Sequence, residues 1–132
     1  VKDPSGNTWF MDGAGNISVT APNDITITAG ANISITAGQN ITSSAALNIS
    51  ESAGVNKATT VGALHTMFVG GDSMMNVMGK LTEMITGNIE SHTEKERIEN
   101  GKEGVSINSE GSINKHAKVE VQNNSVEKSK QF

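Results

Sequence analysis

From Gly15 the chain can be written in rows of eight: GNISVTAP, NDITITAG, ANISITAG, QNITSSAA, LNISESAG, VNKATTVG, ALHTMFVG, GDSMMNVM, GKLTEMIT and GNIESHTE. The third, fifth and seventh places of a row are mostly apolar, and the fourth and sixth are mostly Ser or Thr. This is period-two alternation, the signature of a strand with one buried face. A period of eight preserves parity, so odd-numbered residues stay on one side throughout. Between Ile17 and Val121, 31 of 53 odd positions are apolar against 8 of 52 even ones, a bias that no helix produces.

The pattern therefore predicts core-facing Ile17, Val19, Ile25, Ile27, Ile33, Ile35, Ile41 and Ile49 in the early rows. Met67, Val69, Met75, Val77, Leu81, Ile85 and Ile89 follow in the later ones. Thr26, Thr28, Ser34 and Thr36 are expected to point outward. The eighth place is often glycine, and Gly30, Gly38, Gly54, Gly62 and Gly70 are expected at corners, where unusual backbone angles are tolerated. Asn or Asp in the second place can bond its own backbone. Each octet is then a short strand plus a corner, and a fixed period of this kind means a solenoid or a fibre.

The organisation expected is a lead-in segment over 1–15 and an octad β-helix over 16–93. A charged stretch with a distal continuation spans 94–121, and a frayed tail spans 122–132. The run 94-EKERIENGKE-103 has few apolar residues and reads as a solvated loop or a hydrated part of the solenoid, with a helix as the alternative. Parity resumes at Val105, Ile107, Ile113, Ala117, Val119 and Val121.

The period leaves chain number open. One chain coiling alone would use three octets per coil and make a stub of about 20 Å at ~4.8 Å per strand layer. Its sheet edges would be open to other chains. Three intertwined chains would each rise one strand spacing per octet and make a needle of about 60 Å by the same spacing.

Composition narrows the function classes. Aromatics make up 3% of the 132 residues, which suits a narrow core of Ile, Val and Ala. Net charge is −4 with scattered Lys and Arg, so no basic face for nucleic acid is present. Cysteine is absent, and no apolar run is long enough to span a bilayer as a helix. The chain begins at Val1, so it is expected to be a fragment or processed product, and no signal-peptide pattern is seen.

Candidate chemistry is sparse. His65, His92 and His116 lack a His-x-His or Cys neighbour. His65 has inward parity, so a threefold axis could gather three copies around an ion, but packing or solvation is the favoured reading and no metal site is assigned. Lys57, Glu51, Glu83 and Arg97 also have inward parity; a charge on an axis needs a partner, an ion or water, and the alternative is that the register slips there or the side chain reaches the rim. The sequons at Asn16, Asn32, Asn40 and Asn48 are by-products of the repeat. No activated nucleophile, phosphate loop or recurring carboxylate pair stands out, so no enzyme and no cofactor are expected. Phe68, Met74, Met78 and Met84 break parity, which marks a surface contact or a local widening.

The opening 1-VKDPSGNTWFMDGAGNISVTAPNDITITAG-30 resembles the region where VgrG proteins, the trimeric spikes of type VI secretion systems, pass into their C-terminal needle. The pattern D-x-x-G-N-T-W-F-x-D-G-x-G-N-[IV]-x-[VI]-T-A-P carries the likeness. 79-GKLTEMITGNIESHTEKER-97 and 123-NNSVEKSKQF-132 resemble spikes of Bacteroidetes-type systems. Such spikes are similar to the cell-puncturing spikes of contractile phage tails. The resemblance implies an all-β, homotrimeric, triple-stranded intertwined β-helix, a triangular needle that punctures envelopes. It implies a tail tube protein below, reached through an N-terminal part that would precede Val1. A PAAR-type tip protein or effector is implied at the distal end, and the membrane is touched only transiently during puncture. Localisation would be the bacterial cytoplasm before firing and the extracellular space or a target cell afterwards. A fibrous adhesin or binding module on a β-solenoid is the competing function.

Overall fold

In the computed structural model, residues 1–127 are described. Among them there are two strands and no helix: β1, Thr8–Met11, and β2, Ile17–Thr20. The strands pair antiparallel with Thr8 opposite Thr20, Trp9 opposite Val19, Phe10 opposite Ser18 and Met11 opposite Ile17. An isolated bridge joins Lys2 to Thr8, so the chain enters as a third arm of the same meander. Residues 17–20, the expected first octad strand, thus serve as one arm of a hairpin with the lead-in segment.

Beyond Thr20 the backbone is extended and bends at a fixed interval. Bends fall at 22–23, 30–31, 38–39, 46–47, 54–55 and 62–63 in the first unit, Val1–Met67. In the second unit, Phe68–Phe132, they fall at 70–71, 78–79, 86–87, 94–95, 102–103, 110–111, 118–119 and 126–127. Every bend joins the eighth place of one row to the first place of the next. The charged stretch 94–104 keeps this interval, and so does the segment up to residue 127. The remaining tail, 128–132, lies outside the described residues.

The five corner glycines Gly30, Gly38, Gly54, Gly62 and Gly70 all sit on bends, but the physical reason differs from the one expected. None of them has positive φ. Nothing lies within 4 Å of where their Cβ would be. Ala46, Met78, Thr86 and Lys102 occupy the same place at other bends. Positive φ is instead found at Gly6, Gly13, Gly15 and Gly104. The octad bend is therefore made within the ordinary backbone regions open to any L-residue.

No residue among the described ones is buried, and only Thr8 and Ala21 are half-buried. The chain exposes 14812 Å². A folded monomer of this mass exposes about 6600 Å², and its unfolded chain about 20000 Å². The expected core-facing places from Ile17 to Ile89 are all exposed within one chain. They are nonetheless less exposed than the parity breakers. Val69, Val77 and Ile85 lie between 43% and 49%, whereas Phe68, Met74, Met78 and Met84 lie above 90%.

Candidate functional site

Local chemistry explains why the first twenty residues fold. Two pentapeptides, Asp3-Pro4-Ser5-Gly6-Asn7 and Asp12-Gly13-Ala14-Gly15-Asn16, make the two turns of the meander. In each, the aspartate is a hub. Asp3 Oδ1 accepts from the Ser5 and Asn7 backbone nitrogens at 3.0 and 3.2 Å, and its Oδ2 accepts from Asn7 Nδ2 at 2.8 Å. Asp12 Oδ1 accepts from the Ala14 and Asn16 nitrogens at 2.7 and 3.1 Å, and its Oδ2 from Asn16 Nδ2 at 2.6 Å. The backbone N–H of each aspartate returns a bond to the asparagine carbonyl, at 3.2 and 3.3 Å. The fourth residue is glycine at φ +96° in both loops, a left-handed geometry that other residues adopt only at a cost.

Donors converging on a carboxylate favour its charged form. The Ser5 hydroxyl, followed by the Asn7 side chain, holds the Asp3 carboxyl down at about 2. The Asn16 side chain, followed by the Ala14 nitrogen, lowers that of Asp12. These loops are structural devices, and sequence reasoning missed their role. The signal was the repeated D-x-x-G-N spacing.

The hairpin presents two faces. Trp9, Met11, Ile17 and Val19 share one, and Thr8, Phe10, Ser18 and Thr20 share the other. Trp9 and Val19 of one face and Thr8 and Thr20 of the other line an open cleft of about 320 Å³ together with Ala21, Asp24 and Ile25, so the hairpin meets the first octets there. Gly6 lies against Pro22: a Cβ there would stand 3.1 Å from the proline Cγ.

Two ion pairs occur among the described residues, and both join inward-parity positions. The Lys57 ammonium donates to Glu51 Oε2, which lowers the Glu51 carboxyl below its ordinary value. Arg97 donates to Glu99 Oε1 at 2.6 Å. Each pair sets a third-place cation against a fifth-place carboxylate. Neither pair includes Glu83.

In the second unit an open gap of about 1160 Å³ separates the segment around Ile85–Glu90 from that around Ile107–Ser112. No group of three or more His, Cys, Asp or Glu among the described residues could hold a metal ion. No helix there is long and apolar enough to cross a membrane. No family model, curated protein or solved structure matches the chain.

Proposed function

We propose that this chain is one of three intertwined copies in a triple-stranded β-helix, and that the assembly is the rigid shaft of a secretion spike. The observation that carries the reading is a pairing deficit. Of the backbone hydrogen bonds among the described residues, none joins two residues between 21 and 124. Yet the chain bends there every eight residues. Backbone N–H and C=O groups are strong, obligatory hydrogen-bonding groups. A single-chain solenoid with three octets per coil would join each residue to the one 24 places on, and that ladder is missing. Chains that rise one strand spacing per octet would each return over themselves after about 14 Å, leaving room for two foreign strands. The gap between the segments 85–90 and 107–112, which lie nearly three octets apart, suits such an arrangement.

Side chains support the same reading. Ile and Val in the third, fifth and seventh places remain 43–73% exposed within one chain, and partner strands would cover them. Burying apolar area is the dominant favourable term in association. With ladder, core and corner occupying nearly every octet, no converging polar site is left for catalysis. The shaft would work mechanically, by passing force along continuous ladders. The likeness of its opening to VgrG needles supplies the setting: a contractile secretion machine, a tube protein below, and a tip protein or effector at the distal end.

Deletions in the intact spike test this. Removing residues 31–54 takes out three whole octets and keeps every later bend in phase. Removing 31–34 keeps parity but shifts the bends. Secretion and target killing should survive the first and fail with the second. Equal damage from both would refute the modular shaft.

A further inference from the structure

The octets from 23 to 54 pose a registration problem. NDITITAG and ANISITAG are nearly interchangeable, so a slip of one octet between chains keeps apolar residues against apolar residues. Burial of one face forbids a slip of one residue, but a slip of a whole octet keeps every residue on its face. Something in the molecule has to set the register. Among the described residues, the segment 1–20 holds backbone-to-backbone hydrogen bonds within a single chain, through the β1–β2 ladder, the Val1–Trp9 pair and the two aspartate-centred loops, and none joins two residues between 21 and 124. Its first fourteen residues stand outside the octad repeat, which begins at Gly15.

This preformed element is incomplete. A two-stranded hairpin is marginal alone in water. Trp9 is 52% exposed and Met11 68%, on the same face as Ile17 and Val19. Two of its members, Trp9 and Val19, also line the cleft that Ala21 and Ile25, odd-numbered places of the first octets, line from the other side.

Resting on the three-chain reading, we propose that the hairpin docks on the same hairpin of two other copies through Trp9, Met11, Ile17 and Val19. The resulting collar nucleates assembly and sets the register of the octads. Its occupant is a second and third copy of this chain. The two loops hold each hairpin ready, and the contact of Gly6 with Pro22 ties the first loop to the first octad bend. Closing the collar aligns residue 21 of all three chains, and the octads then zip away from it.

Trp9 is the sole tryptophan, so it reports the collar directly. The full chain is refolded from denaturant while Trp9 emission, far-ultraviolet dichroism and mass are followed. Trp9 emission should shift to the blue no later than the ladder signal appears, and more quickly at higher concentration. Met11→Ser should slow assembly about tenfold, since Met11 lies in the collar. Phe10→Ser, on the opposite face, should slow it less than threefold, although phenylalanine is the larger apolar group. Trp9 that stays fully quenchable by acrylamide in a sample of trimer mass would overturn the collar and leave the three-chain reading standing. So would ladder formation ahead of the Trp9 shift, or a Phe10 effect equal to that of Met11. A folded sample of monomer mass would overturn both.

Discussion

Replacing Ile33 by alanine should weaken assembly by an amount that can be worked out. Three carbons are lost per chain, each worth about 0.8 kcal/mol on burial. Within one chain Ile33 is already 47% covered, because its exposure is 53%. Only the uncovered half counts toward association, or roughly 1.3 kcal/mol per chain by that scale. Three symmetry copies bring the loss to about 4 kcal/mol per trimer, before any cavity cost. Since ~1.4 kcal/mol is a factor of ten, the association constant should fall by about 600-fold. A trimer constant depends on the square of concentration at its midpoint, so that midpoint should rise by about 25-fold. Thr36→Ala, at an outward place, is the control. A surface change within about 0.5 kcal/mol per chain moves the midpoint by no more than about fourfold. Sedimentation equilibrium over a dilution series, with each sample refolded at its final concentration, reads both midpoints. Equal shifts for Ile33→Ala and Thr36→Ala would refute the inward–outward assignment.

Three further outcomes follow from the same geometry. The Asp3 and Asp12 carboxyls are held below their ordinary values, so their contribution is present above an unfolded value near 3.8. It is lost as pH falls through the folded value, about 2 for Asp3; Trp9 emission titrated downward from pH 5 should show the meander opening in that window, and Asp3→Asn with Asp12→Asn should flatten the titration. Gly15→Ala, at φ +96°, should cost about 1–3 kcal/mol in thermal unfolding, whereas Gly38→Ala, at an ordinary φ, should stay within about 0.5 kcal/mol. The Lys57–Glu51 pair is exposed within one chain and would be covered only by partner strands. With that cover, Glu51→Leu should lower the melting temperature and adding Lys57→Leu should restore most of the loss, because removing one partner of a buried pair hurts more than removing both.

The octad was legible because period and parity are local properties of a chain. Each row fixes its own bend, and the bends fall between the eighth and first places without interruption to residue 127. The reason for the corner glycines was not legible in the same way. φ depends on how the turn is built, and the octad bend needs no left-handed residue, whereas the loops at Gly6 and Gly15 do. The aspartate loops were visible as a motif but not as hubs, since their bonds run from one carboxylate to several later donors. That Glu51 shares the parity of the apolar places could be read from sequence; its pairing with Lys57 could not, because Lys57 lies across a corner, six residues on. Burial was the least accessible property. The apolar places are marked in sequence, but a single chain covers them only in part and buries none of them.

Solution mass under native conditions tests the central claim most directly. Light scattering on the chain at micromolar concentration, with dichroism on the same sample, should give a β-rich species of three times the 13.8 kDa chain, about 41 kDa. A β-rich, cooperatively melting species of 13.8 kDa would contradict it, because one chain would then have found within itself the backbone partners assigned here to its two copies.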